Sequence, residues 1–219
     1  MSEHSNDFVG FLRSSAPYIH AHRGRTFVIV FGGEAMASRG IRTLVHDVAL
    51  LMSLGIRVVL VAGARPQIDE RLALRGLEPR FEGGLRVTDE AAMACAKEAS
   101  GTNRVELEAL FSTALPNSPM AGARVRVATG NYLTAKPVGV IDGLDFKYTG
   151  RVRRVDHEAI RRHLEAGQLV LLTPIGYSAT GEAFNLSTPE VASAAAVALG
   201  ADKLICLVEG KGLVDRGGA

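Results

Sequence analysis

At 219 residues, 47% of them hydrophobic, the chain is long enough for one large domain or two small ones and apolar enough to fill a core, which points to a soluble globular protein. The formal charge of +2 comes from dispersed Lys and Arg, which excludes a nucleic-acid-binding tail. No run reaches the ~18 apolar residues a membrane span needs, and the polar start from Met1 to Asp7 lacks a signal-peptide core, so no membrane association and a cytoplasmic location are expected. Cys95 and Cys206 lie far apart in apolar settings and read as buried reduced thiols. Six scattered histidines, with only His20 and His22 close together, offer no metal-ligand spacing, so no metal is expected.

Asp7 to His22 begins with Phe8, Phe11 and Leu12 on one side and is interrupted by Pro17, which predicts a short helix outside the core, kinked or stopped at the proline. It packs either on another subunit or on its own domain. Thr26 to Phe31 then runs apolar and β-branched into Gly32-Gly33, the pattern of a strand buried on both faces entering a tight turn. Such glycines let backbone N–H groups approach an anion, and a following helix would lend its positive end. A plain structural turn is the competing reading. Ile41, Leu44, Val45, Val48, Leu51 and Met52 form a helical stripe that stops at Gly55. Val58 to Ala62 leading to Gly63-Ala64-Arg65-Pro66 repeats the strand, glycine turn and helix start, and Ile68, Leu72 and Leu74 are the apolar positions of that helix. The alternation implies a parallel sheet with two turns facing one crevice.

Gly76 to Gly84 reads as a loop or short extended piece, and Thr88 as the N-cap of a helix from Asp89 to Lys97 that Gly101 interrupts before a second stretch from Arg104 to Ala114. Arg86, just before it, is either a surface ion-pair partner or a carboxylate clamp at the crevice edge. Residues from Ala123 to Ala135 change to period two and predict a β-hairpin turning at Thr129-Gly130-Asn131, followed by an extended piece from Tyr148 to Val155 in which Arg151, Arg153 and Arg154 face solvent or an anion. Asp156 caps a helix that ends at Gly167, and Gln168 to Pro174 is a buried strand. Ser187 and Glu190 have capping-box spacing at the start of an Ala-rich helix to Leu199, and Lys203 to Val208 is the next strand, from which Gly210 to Asp215 turns away.

This order of elements, with Phe31-Gly32-Gly33-Glu34, Gly63-Ala64-Arg65-Pro66-Gln67, Arg86-Val87-Thr88-Asp89 and Phe184-Asn185-Leu186-Ser187, resembles the amino-acid-kinase superfamily, and within it the kinase-like domain of the N-acetylglutamate synthases. The resemblance implies a three-layer α-β-α sandwich with a mostly parallel central sheet whose C-terminal part is missing. It divides the chain into an oligomerisation helix over 1–24 and a kinase-like domain over 25–219. Phosphoryl transfer in the superfamily needs a strand lysine and a late aspartate, and the matching positions are Val30 and Pro189, neither of which holds charge. The family therefore implies an arginine-sensing portion without catalytic residues or a cofactor of its own. Acetyl transfer from acetyl-CoA to L-glutamate, the first step of L-arginine biosynthesis, would belong to an acetyltransferase domain absent from this chain.

By resemblance, L-arginine is the effector, bound near Tyr18, with Ser53 and Arg57 as coupling candidates. The homo-oligomer is implied in the same way. Gly32, Gly33, Gly63, Ala64, Arg65, Arg86 and Asn185 would line the relic kinase crevice. The chain is then a front fragment or the product of a frame cut short. An active N-acetylglutamate kinase is disfavoured by Val30 and Pro189, a stand-alone arginine-binding protein stays open, and a dinucleotide-binding domain lacks the full glycine fingerprint.

Overall fold

The computed structural model describes residues 3–113 and 125–208. The chain opens with α1 (Glu3–His22), a 20-residue helix that runs through Pro17 instead of stopping there. The proline deprives the Arg13 carbonyl of its N–H, but that turn is exposed, so the carbonyl remains open to solvent. Of the expected apolar face, Phe11 is exposed, and the side chains of Phe8 and Leu12 lie outside what is described.

Next come β1 (Thr26–Phe31), the one-turn α2 (Glu34–Ala37), α3 (Ile41–Ser53), β2 (Arg57–Ala62) and α4 (Arg65–Leu74). Two short strands, β3 (Phe81–Glu82) and β4 (Leu85–Arg86), pair antiparallel around Gly83-Gly84, β3 falling in the expected loop or short extended piece, and α5 (Glu90–Ser112) follows. The second half holds β5 (Val127–Ala128), β6 (Leu133–Pro137), β7 (Val140–Ile141), β8 (Leu144–Asp145), β9 (Gly150–Val155), α6 (His157–Glu165), β10 (Leu169–Leu172), β11 (Ile175–Tyr177), β12 (Ala183–Asn185), α7 (Thr188–Leu199) and β13 (Lys203–Leu207). The expectations for Ala114, Ala123, Arg124 and Gly210 to Asp215 fall outside the described residues.

A five-stranded sheet in the order β13-β1-β2-β10-β5, every pair parallel, forms the middle layer. The unbroken apolar runs of β1 and β2 serve two cores at once, because alternate side chains point to opposite faces. Phe27, Ile29 and Phe31 pack with Val45 and Val48 of α3 and Leu107 and Phe111 of α5. Val28 and Val30 pack with Ile160 of α6 and Val191 and Ala195 of α7, which completes the α-β-α sandwich. Each such large side chain contributes about 1.5–3 kcal/mol on burial. The Ala-rich α7 lies close to β1 and β9, its small residues turned to the core, while Val197 points to solvent. A second sheet, β12-β11-β6-β9, shares that core through Leu133, Ala135, Val155 and Phe184.

Several local expectations are corrected. The hairpin is not formed: β5 pairs with the open edge of β10, whereas β6 pairs with the longer β9 in the other sheet. Gly130 is the pivot between the sheets, since a Cβ there would press on the Tyr132 ring at 3.0–3.3 Å. Glu190 does not close a capping box, because its carboxylate accepts the Val152 N–H of β9 at 2.9 Å and Ser187 makes no side-chain cap. Asp89, not Thr88, caps α5 by accepting from the Ala92 N–H at 2.9 Å. Leu74 is exposed at the end of α4, and Cys206 is exposed on the edge strand β13 while Cys95 is buried.

Gly101 does not interrupt α5, which is continuous over 23 residues. The flanking Ala99, Ser100, Asn103 and Leu107 are buried, and their packing outweighs the ~1 kcal/mol a mid-helix glycine costs. A Cβ at Gly101 would meet nothing within 4 Å. Gly101→Ala is therefore expected to raise the unfolding free energy by about 0.5–1 kcal/mol, measured by urea denaturation.

Candidate functional site

The carboxyl ends of β1 and β2 bring the two glycine turns into contact. Gly63 N–H donates to the Phe31 carbonyl at 2.9 Å, and a Cβ on Gly63 would stand 3.1 Å from Gly33 N and 3.2 Å from Gly32 Cα. The turn carbonyls are taken up by side-chain amides, Gln67 Nε2 on Gly33 at 2.7 Å and Asn103 Nδ2 on Gly63 at 3.0 Å. Both turns thus have a structural task, as the plain-turn reading of Gly32-Gly33 expects. The helix after it is only four residues long, and its Ala35 and Met36 N–H groups already bond to the Gly32 and Gly33 carbonyls. The Glu34 carboxylate also folds over Gly32, where a Cβ would clash with it, so negative charge already covers the approach.

Beside these turns lies a cleft of about 250 Å³ lined by Ala64, Arg65, Arg86, Asn185 and Pro189, with Phe81 and Thr149. Arg86 is buried, so neither a plain surface ion pair nor a free clamp describes it. Its Nη2 donates to Asp69 Oδ1 at 2.5 Å, its guanidinium lies 4.6 Å from the Phe81 ring centroid, and Nη1 is buried with no partner among the described residues. Arg65 sits 4.4 Å from the same ring. Two guanidinium groups and one carboxylate leave the cleft net positive, and the unpaired Nη1 is a donor that a carboxylate could meet.

A buried hydroxyl chain holds the far wall. The Thr149 hydroxyl donates to the Arg86 carbonyl at 2.5 Å and accepts the Thr88 N–H at 3.1 Å. The Thr88 hydroxyl lies 3.0 Å from that of Thr149 and accepts from Asn185 Nδ2 at 3.1 Å. Asp69, Phe81 and Thr149 were not singled out from sequence. Asp69 had a local signal, since it stands one helical turn after Arg65, whereas the others come from segments joined only by folding.

Val30 and Gly32 line a second cleft, of about 590 Å³, with Cys206 and Leu207 of β13, and Pro189 forms a wall of both. Where phosphoryl transfer needs positive charge at the sheet and a carboxylate at the late helix, this cleft offers a valine and a proline. Among the described residues, neither of these two positions carries charge. Ser53 and Arg57 lie away from both clefts, exposed at the opposite end of β2, where with Arg23 they line a third of about 400 Å³. Tyr18 is exposed on α1. Among the described residues no helix is long and apolar enough to cross a membrane, and no three His, Cys, Asp or Glu gather in a metal-binding group.

A parallel sheet between two helical layers, with glycine turns over a cleft at its carboxyl end, defines an α/β protein of the amino-acid-kinase type. The model of the amino acid kinase family matches residues 25–218, and the chain belongs to that family. It is 54% identical over 211 residues to an amino-acid acetyltransferase of Ralstonia nicotianae, covering 96% of this chain and 47% of that protein. An amino-acid acetyltransferase of Ectopseudomonas mendocina is 49% identical over 213 residues, covering 97% of this chain and 49% of that protein. The crystal structure of N-acetylglutamate synthase from Neisseria gonorrhoeae complexed with coenzyme A and L-arginine superposes with a TM-score of 0.87 at 38% identity, covering 97% of this chain and 50% of that one. The chain thus spans about half the length of the curated relatives it matches.

Asp69→Ala leaves the Arg86 guanidinium buried without its carboxylate. A loss of about 1–3 kcal/mol is expected in denaturant unfolding, below the value for a fully buried pair because Asp69 is about a third exposed.

Proposed function

We propose that this chain is the kinase-like, regulatory portion of an N-acetylglutamate synthase, whose whole protein transfers the acetyl group of acetyl-CoA to L-glutamate as the first step of L-arginine biosynthesis. The observation that carries the reading is the likeness along nearly the whole chain to one half of proteins named amino-acid acetyltransferase and N-acetylglutamate synthase. In this reading the acetyltransferase module follows the kinase-like portion, and acetyl-CoA and L-glutamate are its substrates. The chain itself carries no catalytic residue and no cofactor. Its phosphoryl-transfer chemistry is lost, a reading supported by Val30 and Pro189 at the Gly32 cleft and by the Glu34 carboxylate over the turn.

L-arginine is the effector, and α1 with Tyr18 contributes to its response and to a homo-oligomeric contact. Ser53 and Arg57 couple that response to the sheet from the amino ends of β1 and β2. An effector works by binding two arrangements of the protein unequally, with coupling typically about 1–3 kcal/mol.

The test is to express the uninterrupted reading frame and follow coenzyme A release with acetyl-CoA and L-glutamate, with and without L-arginine. Glutamate-dependent release that L-arginine alters is expected, and Arg57→Ala should weaken the arginine effect several-fold while sparing the arginine-free rate. Absence of glutamate-dependent release from the folded product overturns the reading.

A further inference from the structure

A separate cleft, of about 320 Å³, shares no lining residue with the Arg86 cleft. One wall is a single stripe of α5, in which Lys97, Ser100, Gly101 and Arg104 recur at i, i+3, i+4 and i+7 and so lie on one face. Thr129 and Thr173 face it, each the residue directly after a strand of the parallel sheet, β5 and β10. The cleft therefore opens at the carboxyl ends of adjacent parallel strands, the side on which open α/β sheets take their ligands.

Three features of this stripe have no use in the fold already described. The Ser100 side chain is buried at 3% exposure, and its hydroxyl has no partner among the described residues. Hydroxyls within helices normally bond back to the carbonyl four residues earlier, and on the same helix Thr102 and Ser112 do so at 2.8 and 2.7 Å. Gly101 sits mid-helix, where no neighbour lies within 4 Å of a would-be Cβ, so packing does not require it and its missing side chain widens the cleft. Lys97 has no ion pair among the described residues, and Arg104 has only a loose one, its Nε 3.9 Å from Glu108 Oε1. No acidic residue lines the cleft, and the Tyr177 side chain stands at its edge.

We infer that this cleft binds a small ligand bearing an oxyanion, a phosphoryl or carboxylate group held between Lys97 and Arg104 and reached by the Ser100 hydroxyl, its apolar part resting on Leu133, Leu172 and Ile175. The two cations are seven residues apart, about 10 Å along the axis, and their long side chains close that span on a common anion. Gly101 between them is the gap through which the ligand reaches the helix backbone.

The test is isothermal titration of the full chain at low ionic strength in Tris–chloride, with inorganic phosphate in one arm and succinate in the other. Saturable one-to-one binding is expected in at least one arm, and the arm that binds identifies the oxyanion. Arg104→Gln should weaken that binding about tenfold, as loss of one charge-assisted contact does. Gly101→Leu should abolish it while circular dichroism shows the helix intact, and added salt should weaken it. Arg65→Gln, in the other cleft, should leave it unchanged. Absence of saturable binding in both arms, binding that survives both Arg104→Gln and Gly101→Leu, or binding lost in Arg65→Gln overturns the inference.

Discussion

The close backbone approach of Gly33 and Gly63 is the constraint on which the rest of the carboxyl edge depends. With β1 and β2 in parallel register from Thr26↔Arg57 to Phe31↔Ala62, the two turns leave the sheet side by side, and a side chain on Gly63 would press on the Gly33 backbone. Asn103 donates to the Gly63 carbonyl, and Gln67 donates to the Gly33 carbonyl, which also accepts the Met36 N–H, so the two amides tie α4 and α5 to the turns. That tie carries Arg65 to the mouth of one cleft and sets α4 against α5 through Ile68, Leu72, Cys95 and Ala99. Arg86 and Asp69 meet as a consequence of the same arrangement.

Charge of opposite sign is divided between the Gly32 turn and the cleft beside it. Charge at the Gly32 turn is negative, from Glu34, and the neighbouring cleft is walled by Val30, Pro189 and the edge strand β13. Positive charge sits instead on Arg65 and Arg86, fixed by Phe81 and Asp69. In the proposed reading, nothing at Val30 or Pro189 stabilises the charge that develops during phosphoryl transfer. This is the physical content of the proposed kinase-dead role.

Much of the fold was legible in the sequence because it rests on local signals. The runs from Thr26 to Phe31 and Val58 to Ala62, the stripe from Ile41 to Met52, and Asp156, whose side chain caps α6, all appear where pattern places them. What was not legible depends on partners distant in sequence. Glu190 is drawn from its own helix start to Val152, the segment around Gly130 divides between two sheets because β10 and β9 each offer an edge, and Gly101 is overridden by buried neighbours on both sides. At the site, Ala64, Arg65, Arg86 and Asn185 line one cleft while Gly32 lines the other and Gly33 and Gly63 line neither of the two, and the ring and carboxylate that hold Arg86 come from Phe81 and Asp69, which only the folded chain brings to it. Ser53 and Arg57 lie at the other end of the sheet, so any coupling through them crosses the core.

The most direct test of the central claim is ADP release by the uninterrupted gene product incubated with Mg²⁺, ATP and N-acetyl-L-glutamate. The proposed reading predicts no release above the enzyme-free rate. Steady ADP release that depends on N-acetyl-L-glutamate would contradict it, by showing that phosphoryl transfer proceeds without charge at Val30 and Pro189.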